Sequence, residues 1–328
     1  MREFNKEEYI QTSLAAFETL PKINEIVDKL SNCGYDNLFL VGVGGSLSFH
    51  MQMAAILKAN SHICCFTENA CELTTTGNPA LCNNSVAVFH SRSGDTKELL
   101  DAARYAKEKG AKVVSFVEKT ASPMAEISDY VVPGVGYYYL YLFYTYLMYK
   151  EGDFQEYPDF IENFKKFPAA FAKDLEANED RAHEIGEMYG DAPFTYVISA
   201  GNLWGWAYSF AMCVMEETMW MATKSIHAAE FFHGTLEMIE RDSYVLLLRG
   251  EDASRPMVDR VENFANRVCR NVTVIDTTSC PLEGIDATYR NILSPIVMEF
   301  LCRRISAHFE EIRKHPCEIR RYYRALSY

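Results

Sequence analysis

Short apolar runs alternate with longer amphipathic stretches along the first half of the chain. Residues 6–31 have apolar side chains at near-helical spacing and predict an N-terminal helix. Apolar runs then predict four strands, separated by helical patterns and turn residues: residues 37–41, 62–66, 85–90 and 112–117. Strands that alternate with helices are typical of a parallel sheet covered on both faces, so we predict an α/β, doubly wound architecture.

The second half repeats this order. Apolar runs at residues 194–199, 244–248 and 271–276 predict three further strands. Equivalent positions in the two halves, such as Gly44 and Gly201 or Val113 and Val272, are 157 to 159 residues apart. Matched strands at one spacing indicate an internal repeat, and therefore two similar domains, each with a mostly parallel sheet flanked by helices.

The repeat predicts five parts along the chain. They are an N-terminal helix (1–30), a first α/β domain (31–150), a helical connector (151–190), a second α/β domain (191–310) and a C-terminal tail (311–328). The run of tyrosine and apolar residues at 137–149 is too short to span a membrane, for which about 20 residues are needed. We predict that it is a buried helix.

Composition narrows the class of partner. The 328 residues are 48% hydrophobic and carry a formal net charge of −13, which argues against binding to nucleic acid or to an anionic membrane surface. The ten cysteines form no C-x-x-C pair, and no apolar leader follows Met1. We expect reduced, mostly buried thiols in a cytoplasmic protein.

Two loops of the first half have the features of a phosphate site. Gly44-Gly45-Ser46 follows the first predicted strand, and Ser91–Thr96 follows the third. Each loop precedes a helix, where backbone N–H groups and aligned peptide dipoles favour an anion. We expect phosphate to be held by five residues: Gly45, Ser46, Ser91, Ser93 and Thr96. The alternative is that the serines and threonine only cap their helices.

A dinucleotide site is a rival interpretation of the first loop. Gly42-Val43-Gly44 begins like G-x-G-x-x-G, and Glu68 is placed to contact a ribose. Leu47 stands where the motif has its last glycine, however. Without that glycine the close helix–strand packing of the motif is lost, so we disfavour a dinucleotide.

Glu217 is the candidate acid–base residue of the second half. A helix from about Trp204 would place Glu217 on one face with Phe210, Cys213 and Trp220. An apolar face would desolvate the carboxylate and raise its pKa, which suits a proton shuttle. A solvated glutamate is the alternative, since Glu216 is adjacent.

These motifs together resemble the sugar isomerase (SIS) domain superfamily. The two phosphate loops are similar to SIS phosphosugar loops, and the spacing of sixteen residues between Glu217 and His233 is that of the isomerase half of glucosamine-6-phosphate synthase. The ending Arg320-Arg321-Tyr322-Tyr323 resembles the tail of the fructosamine-6-phosphate deglycases. The resemblance covers nearly the whole chain and implies two SIS domains.

The resemblance implies a reaction and a site. A fructosyl amino acid 6-phosphate would lose a C1 proton, pass through an enaminol to a C1 imine, and be hydrolysed to glucose 6-phosphate and the free amino acid. Glu217 would move the proton and His233 would assist ring opening, although a histidine taken alone is more often a packed core residue. Arg321 and Tyr323 of the tail would lie near the site. The resemblance also implies a homodimer with shared active sites; we expect no cofactor and no metal.

Some positions depart from the synthase pattern. Thr235 replaces the proline after His-Gly, Val214 replaces a lysine, and Ala325 beside Arg324 lies where the synthase has its C-terminal lysine. Arg92 replaces a glutamine, so its role stays open. These changes, and the lack of a glutaminase half, disfavour glucosamine 6-phosphate synthesis. Two alternatives remain: an aldose–ketose phosphosugar isomerase, and a non-catalytic phosphosugar sensor, which the lack of a helix-turn-helix or basic segment disfavours.

Overall fold

The computed structural model describes residues 4–323 and 325–326. The chain divides into two compact units at Pro168. The N-terminal unit is Glu7–Pro168, and the C-terminal unit is formed by the described residues from Ala169 onward with those up to Lys6. The division falls inside the range 151–190, so the expected connector does not form a unit of its own.

The N-terminal unit is built on a five-stranded sheet in which every described strand pair is parallel. Its strands are β1 (Asn37–Gly42), β2 (Cys65–Asn69), β3 (Ser85–Ser91), β4 (Lys112–Val117) and β5 (Tyr130–Pro133). The spatial order is β2-β1-β3-β4-β5. The doubly wound parallel sheet is confirmed, and β1, β3 and β4 are continuous apolar runs because both faces of the sheet are covered.

One strand boundary was wrong. The second strand was expected at residues 62–66, but β2 begins at Cys65. The Ser61 hydroxyl and the His62 N–H instead donate to Asp153 Oδ2, at 2.7 and 2.8 Å. These hydrogen bonds hold the preceding residues outside the sheet, and the short strand β5 was not predicted at all.

The helices around this sheet follow the expected order. They are α1 (Lys6–Ala15), α2 (Leu20–Cys33), α3 (Gly44–Asn60), α4 (Ala70–Thr76), α5 (Lys97–Glu108), α6 (Pro123–Ile127), α7 (Tyr137–Lys150) and α8 (Tyr157–Ala177), the last of which crosses the division between the units. The predicted N-terminal helix is two helices, because a 3₁₀ turn at Ala16–Thr19 separates α1 from α2. The helix α7 is buried as predicted, and the Tyr138 ring stacks on Phe164 at 5.1 Å.

The C-terminal unit repeats the strand order of the first four strands. Its strands are β6 (Thr195–Ser199), β7 (Thr223–His227), β8 (Tyr244–Arg249) and β9 (Asn271–Asp276), in the parallel order β7-β6-β8-β9. Its α-helices are α9 (Glu179–Gly190), α10 (Trp204–Ser209), α11 (Arg255–Val268) and α12 (Arg290–Ile312). Three of its strands lie within a residue of the predicted positions, and β7 was not predicted.

Two expectations from composition can be compared with the structure. The ten cysteines are all free, but only Cys269, Cys280 and Cys302 are buried, so the expectation of mostly buried thiols was wrong. Among the described residues, no helix combines the length and apolar character that crossing a bilayer would need.

Candidate functional site

The two predicted phosphate loops leave neighbouring strands of the N-terminal unit. Strands β1 and β3 pair side by side, with Leu38 opposite Val86 and Val41 opposite Phe89. From β1 the chain crosses to β2 on one side, whereas from β3 it crosses to β4 on the other. The carboxyl ends of β1 and β3 therefore form a topological switch point, the place where open α/β sheets bind ligands.

The first loop turns at Gly44, which has a φ of +51°. Ser46 caps helix α3: its hydroxyl accepts from the Val43 N–H at 2.9 Å and donates to the Val43 carbonyl at 2.7 Å. In this structure the Ser46 side chain therefore caps its helix, as the alternative interpretation predicted. A Cβ built on Gly45 meets no atom within 4 Å, so the backbone of this residue faces open space.

The second loop is braced from within. The buried Ser91 hydroxyl accepts from the Gly94 N–H at 3.1 Å, and Ser93 donates to the Asp95 carboxylate. Gly94 has a φ of +67°, and a Cβ there would lie 2.4 Å from Ser122 Oγ. The serines thus shape the loop.

Thr96 and Arg92 present polar groups at the ends of the second loop. Thr96 stands at the N-cap of α5 without a side-chain capping hydrogen bond, so its hydroxyl is not used by its own helix. The Arg92 side chain is 74% exposed and lies 3.2 Å from Glu118 in an ion pair. The five predicted phosphate ligands are therefore brought to one switch point, and their binding of phosphate stays a prediction.

The matching switch point of the C-terminal unit holds a carboxylate of the chain itself. Asp252, after β8, accepts from the Asn202 N–H at 2.8 Å and from the Ser254 N–H at 3.0 Å. A Cβ on Gly201, which has a φ of +59°, would lie 2.2 Å from Asp252 Oδ2. Asp252 thus occupies the position that an anion would take between the loops after β6 and β8. No sequence signal had marked this residue.

Glu217 follows an irregular helix. The chain continues from α10 into a π-helix, Phe210–Glu216, and the Glu217 N–H bonds to the Met212 carbonyl at 3.0 Å. The expected α-helical face with Phe210, Cys213 and Trp220 was wrong, because a π-helix has a wider turn and ends before Trp220. π-Helical turns are rare and frequently occur at functional sites.

The neighbouring glutamates have different partners. Glu216 accepts from the Thr223 hydroxyl at 2.6 Å. Glu217 Oε1 accepts from Arg320 Nε at 3.0 Å, and the Glu217 side chain is 38% exposed. The expectation that Glu217 is desolvated by an apolar face was therefore wrong.

The C-terminal tail lies against the Glu217 turn. The Arg321 guanidinium is 3.9 Å from the centre of the Trp220 ring, and the His315 ring is 4.2 Å from it. Tyr323, the other predicted tail residue, is 49% exposed. Arg320, which bonds to Glu217 directly, was missed: it was visible only as one of two adjacent arginines. Arg324 and residues 327–328 of the predicted tail lie outside the described residues.

His233 ends a short 3₁₀ turn, Phe231–His233. Phe231 is buried in the core against β6 and β8, so the turn is anchored while His233 itself is exposed. This exposure rules out the packed-core interpretation of His233. In the described structure no hydrogen bond joins His233 to Glu217.

A group of metal-ligand residue types also lies in this unit. Glu310, Cys317 and Glu318 each place one ligand atom within 4.8 Å of the others. The Cys317 N–H already donates to Glu310 at 3.3 Å. The expectation that the chemistry needs no metal stays a prediction.

Comparison with known proteins matches residues 29–133 to the SIS domain. The chain is 26% identical to the fructosamine deglycase FrlB of Bacillus subtilis, over 94% of this chain and 97% of that protein. It is 25% identical to the fructoselysine 6-phosphate deglycase of Escherichia coli, over 94% and 91% of the two chains.

A solved structure extends the similarity to the fold. A Bacillus subtilis protein described as a phosphosugar isomerase superposes with a TM-score of 0.89 at 26% identity, covering 95% of this chain and 99% of that one. The resemblance that the two loops, the Glu–His spacing and the tail indicated is therefore confirmed. Residues 29–133 match the SIS domain, and 94% of the chain is similar to the fructosamine and fructoselysine 6-phosphate deglycases.

Proposed function

We propose that this protein is a fructosamine-6-phosphate deglycase, which converts a fructosyl amino acid 6-phosphate and water into glucose 6-phosphate and the free amino acid. The proposal rests on how much of two known deglycases the similarity covers: 97% of the fructosamine deglycase and 91% of the fructoselysine 6-phosphate deglycase. An aminotransferase of Fusobacterium nucleatum that acts on fructose 6-phosphate is covered over only 40% of its length.

The proposed reaction assigns separate tasks to the two units. The loops after β1 and β3 bind the phosphate, with backbone N–H groups near Gly45 and the Thr96 hydroxyl as donors. The Glu217 carboxylate removes a proton from C1 of the open-chain ketosamine, which gives an enaminol. The same carboxyl group returns the proton to C2. Water then adds to the C1 imine, and the C–N bond breaks to release the amine and the aldehyde.

His233 acts in ring opening. The closed sugar must gain a proton at its ring oxygen as C2 becomes a carbonyl, and histidine is the side chain that most often donates a proton in such a step. We infer further that the second sheet is also of SIS type, since its strand order repeats the first. We also infer a homodimer in which His233 reaches the site of the neighbouring subunit, since the exposed His233 side chain is accessible to another chain.

The proposal is tested with fructoselysine 6-phosphate as substrate and glucose 6-phosphate release as the readout. The wild-type protein should release glucose 6-phosphate and lysine in equal amounts, and Glu217→Gln should lose at least about 1,000-fold in kcat. Glu216→Gln is the matched control, because Glu216 bonds to Thr223 instead, and it should keep most of the activity. The proposal would be contradicted if the protein released glucose 6-phosphate from no member of a panel of fructosyl amino acid 6-phosphates.

An aldose–ketose phosphosugar isomerase is the second candidate. The solved structure with a TM-score of 0.89 is described as a phosphosugar isomerase. The proton transfer between C1 and C2 is shared by both reactions. Conversion of fructose 6-phosphate to glucose 6-phosphate, with fructosyl amino acid 6-phosphates left intact, would favour the isomerase. A protein that binds both sugars tightly but converts neither would be the non-catalytic sensor.

A further inference from the structure

The tail segment His315–Arg321 contacts the turn that carries Glu217 at three points. Arg320 bonds to the Glu217 carboxylate at 3.0 Å, while Arg321 and His315 both lie on the Trp220 ring. A cation above an indole ring and a ring–ring contact are both attractive interactions. The tail therefore contacts both Glu217 itself and Trp220, three residues after it.

The turn itself is held in an unusual backbone conformation. Trp220 has a φ of +55°, a region in which a bulky side chain is an outlier. Such conformations persist when the surrounding contacts fix them, and they cluster at functional sites. Here the Trp220 and Met221 N–H groups close the turn by bonding to the Glu216 and Met215 carbonyls, at 3.1 and 2.9 Å. Arg321 and His315 then pack on the Trp220 ring and add a tail contact to this turn.

Main-chain carbonyls of the tail also fix the Arg320 guanidinium that bonds to Glu217. Its Nη1 donates to the Ile319 carbonyl at 3.0 Å and also to the Cys317 carbonyl. Its side chain is only 24% exposed. A planar guanidinium fixed at one edge by main-chain carbonyls presents its Nε–H in one direction, and that direction is toward Glu217 Oε1.

We propose that Arg320 is a positioning residue for the Glu217 carboxylate. This inference rests on the proposed function of Glu217. By binding Oε1, Arg320 fixes the rotation of the carboxylate and leaves Oε2 to face C1 and C2 of the sugar. A proton shuttle between adjacent carbons needs one oxygen held within hydrogen-bond reach of both, and loss of about 1 Å in placement can lower a rate about 100-fold.

The test compares Arg320→Gln with Arg320→Lys, using fructoselysine 6-phosphate. We expect kcat to fall about 30- to 100-fold in Arg320→Gln, with KM within about threefold of wild type, because the interaction acts on the reacting proton more than on binding. Arg320→Lys keeps the charge but lacks the planar fork, so its kcat should recover only in part, to about 3- to 10-fold below that of wild type. Arg270→Gln, which breaks an exposed ion pair with Asp242, controls for loss of one positive charge and should leave kcat and KM unchanged.

The double variant Glu217→Gln/Arg320→Gln tests whether Arg320 affects catalysis through Glu217. Since Arg320 acts through Glu217, adding its substitution to Glu217→Gln should lower activity no further. A wild-type kcat in Arg320→Gln, or an Arg320→Lys variant no better than the glutamine variant, would overturn the inference. If Arg320→Gln does not fold, the lysine variant decides, and a wild-type kcat in it overturns the inference.

The two proposals fail in different ways. If Glu217→Gln keeps wild-type activity, the proposed role of Glu217 is wrong whatever Arg320 does. If Glu217→Gln is inactive while both Arg320 variants are normal, only the positioning role is wrong.

Discussion

The carboxylate of Asp252 accepts a hydrogen bond from the Asn202 backbone N–H at 2.8 Å, where the second sheet has its switch point. The corresponding place in the first sheet lies between the loops that we propose for phosphate. A carboxylate of the chain and a phosphate of a ligand satisfy the same kind of group, namely backbone N–H donors at the start of a helical turn. The repeat thus has one switch point open to an anion and one filled from within.

Replacing Asp252 by Asn should destabilise the C-terminal unit. The amide is a weaker acceptor than the carboxylate for the Asn202 and Ser254 N–H groups. We expect the free energy of unfolding to fall by about 1–3 kcal/mol, measured by urea denaturation. Asp242→Asn, at an exposed ion pair with Arg270, is the control and should change stability by less than about 1 kcal/mol. Equal stability in the two variants would show that Asp252 has no such role.

Two glycines of the proposed phosphate site should respond differently to alanine. Gly94→Ala should lower the free energy of unfolding by about 1–3 kcal/mol, because Gly94 has a φ of +67° and the new Cβ would clash with Ser122. Gly45→Ala should leave stability within about 1 kcal/mol, since no atom lies within 4 Å of its Cβ. It should nevertheless raise KM for the phosphorylated substrate, because the methyl group enters the space proposed for phosphate. An unchanged KM in Gly45→Ala would argue against phosphate at this loop.

Acid should destabilise the N-terminal unit through two buried histidines. Burial lowers the pKa of His50 to about 3 and that of His90 to about 4. Both values are below the ordinary value of about 6.5, so the unfolded chain binds more protons. Above pH 6.5 both histidines are neutral in the folded and unfolded chain, and the free energy of unfolding has its full value. It falls as the pH drops below 6.5 toward 4, because the unfolded chain then takes up protons that the folded chain does not. At pH 5 the loss should be up to about 2 kcal/mol for each histidine.

His50→Leu tests this dependence directly. Both ring nitrogens of His50 are buried without a hydrogen-bond partner, so stability at pH 7 should stay equal or rise. The stability lost between pH 7 and pH 5 in urea denaturation should shrink by up to about 2 kcal/mol. His62→Gln is the control: its pKa is raised by the hydrogen bond to Asp153, the opposite direction, so the acid loss in that variant should not shrink. The same acid loss in His50→Leu as in wild type would refute the argument.

A shared active site predicts complementation between inactive variants. Glu217→Gln and His233→Ala should each be inactive alone. When the two variants are refolded together, each mixed dimer has one site with an intact Glu217 and an intact His233 from the other chain. Activity should return to about one quarter of wild type if subunits pair at random, and to about one half if all dimers are mixed. The measurement is glucose 6-phosphate release after co-refolding, with each variant refolded alone as the control. No recovery would contradict the shared site and leave the deglycase proposal standing.

The strands could be predicted where the buried residues of the strand form a clear hydrophobic pattern in the sequence. Lys112–Val117 and Asn271–Asp276 have the predicted bounds. Lys112–Val117 is buried from Val113 onward and is therefore apolar almost throughout, whereas Asn271–Asp276 alternates polar and apolar residues. The short strands β5 and β7 were missed. In β7, at Thr223–His227, Ile226 is the one buried residue, so a hydrophobic pattern gives it little signal.

The candidate site could be predicted only in its local parts. Glycine turns after apolar strands mark the phosphate loops because the turn and the helix start are encoded within a few residues. The π-helix before Glu217 was taken for an α-helix, since both have a similar apolar composition. The exposure of Glu217 and its ion pair were missed, because they depend on a distant segment.

The amino-acid pattern was enough to predict the two parallel sheets, seven of the nine described strands, the two loops, and the candidate glutamate and histidine. These follow from hydrophobic periodicity and turn residues, which act over short stretches of chain. The folded structure was needed to show that Arg320, 103 residues from Glu217, bonds to that carboxylate, and that Asp252 lies at the second switch point. A hydrogen bond between distant residues depends on where the whole backbone places two side chains, and no local pattern specifies that placement.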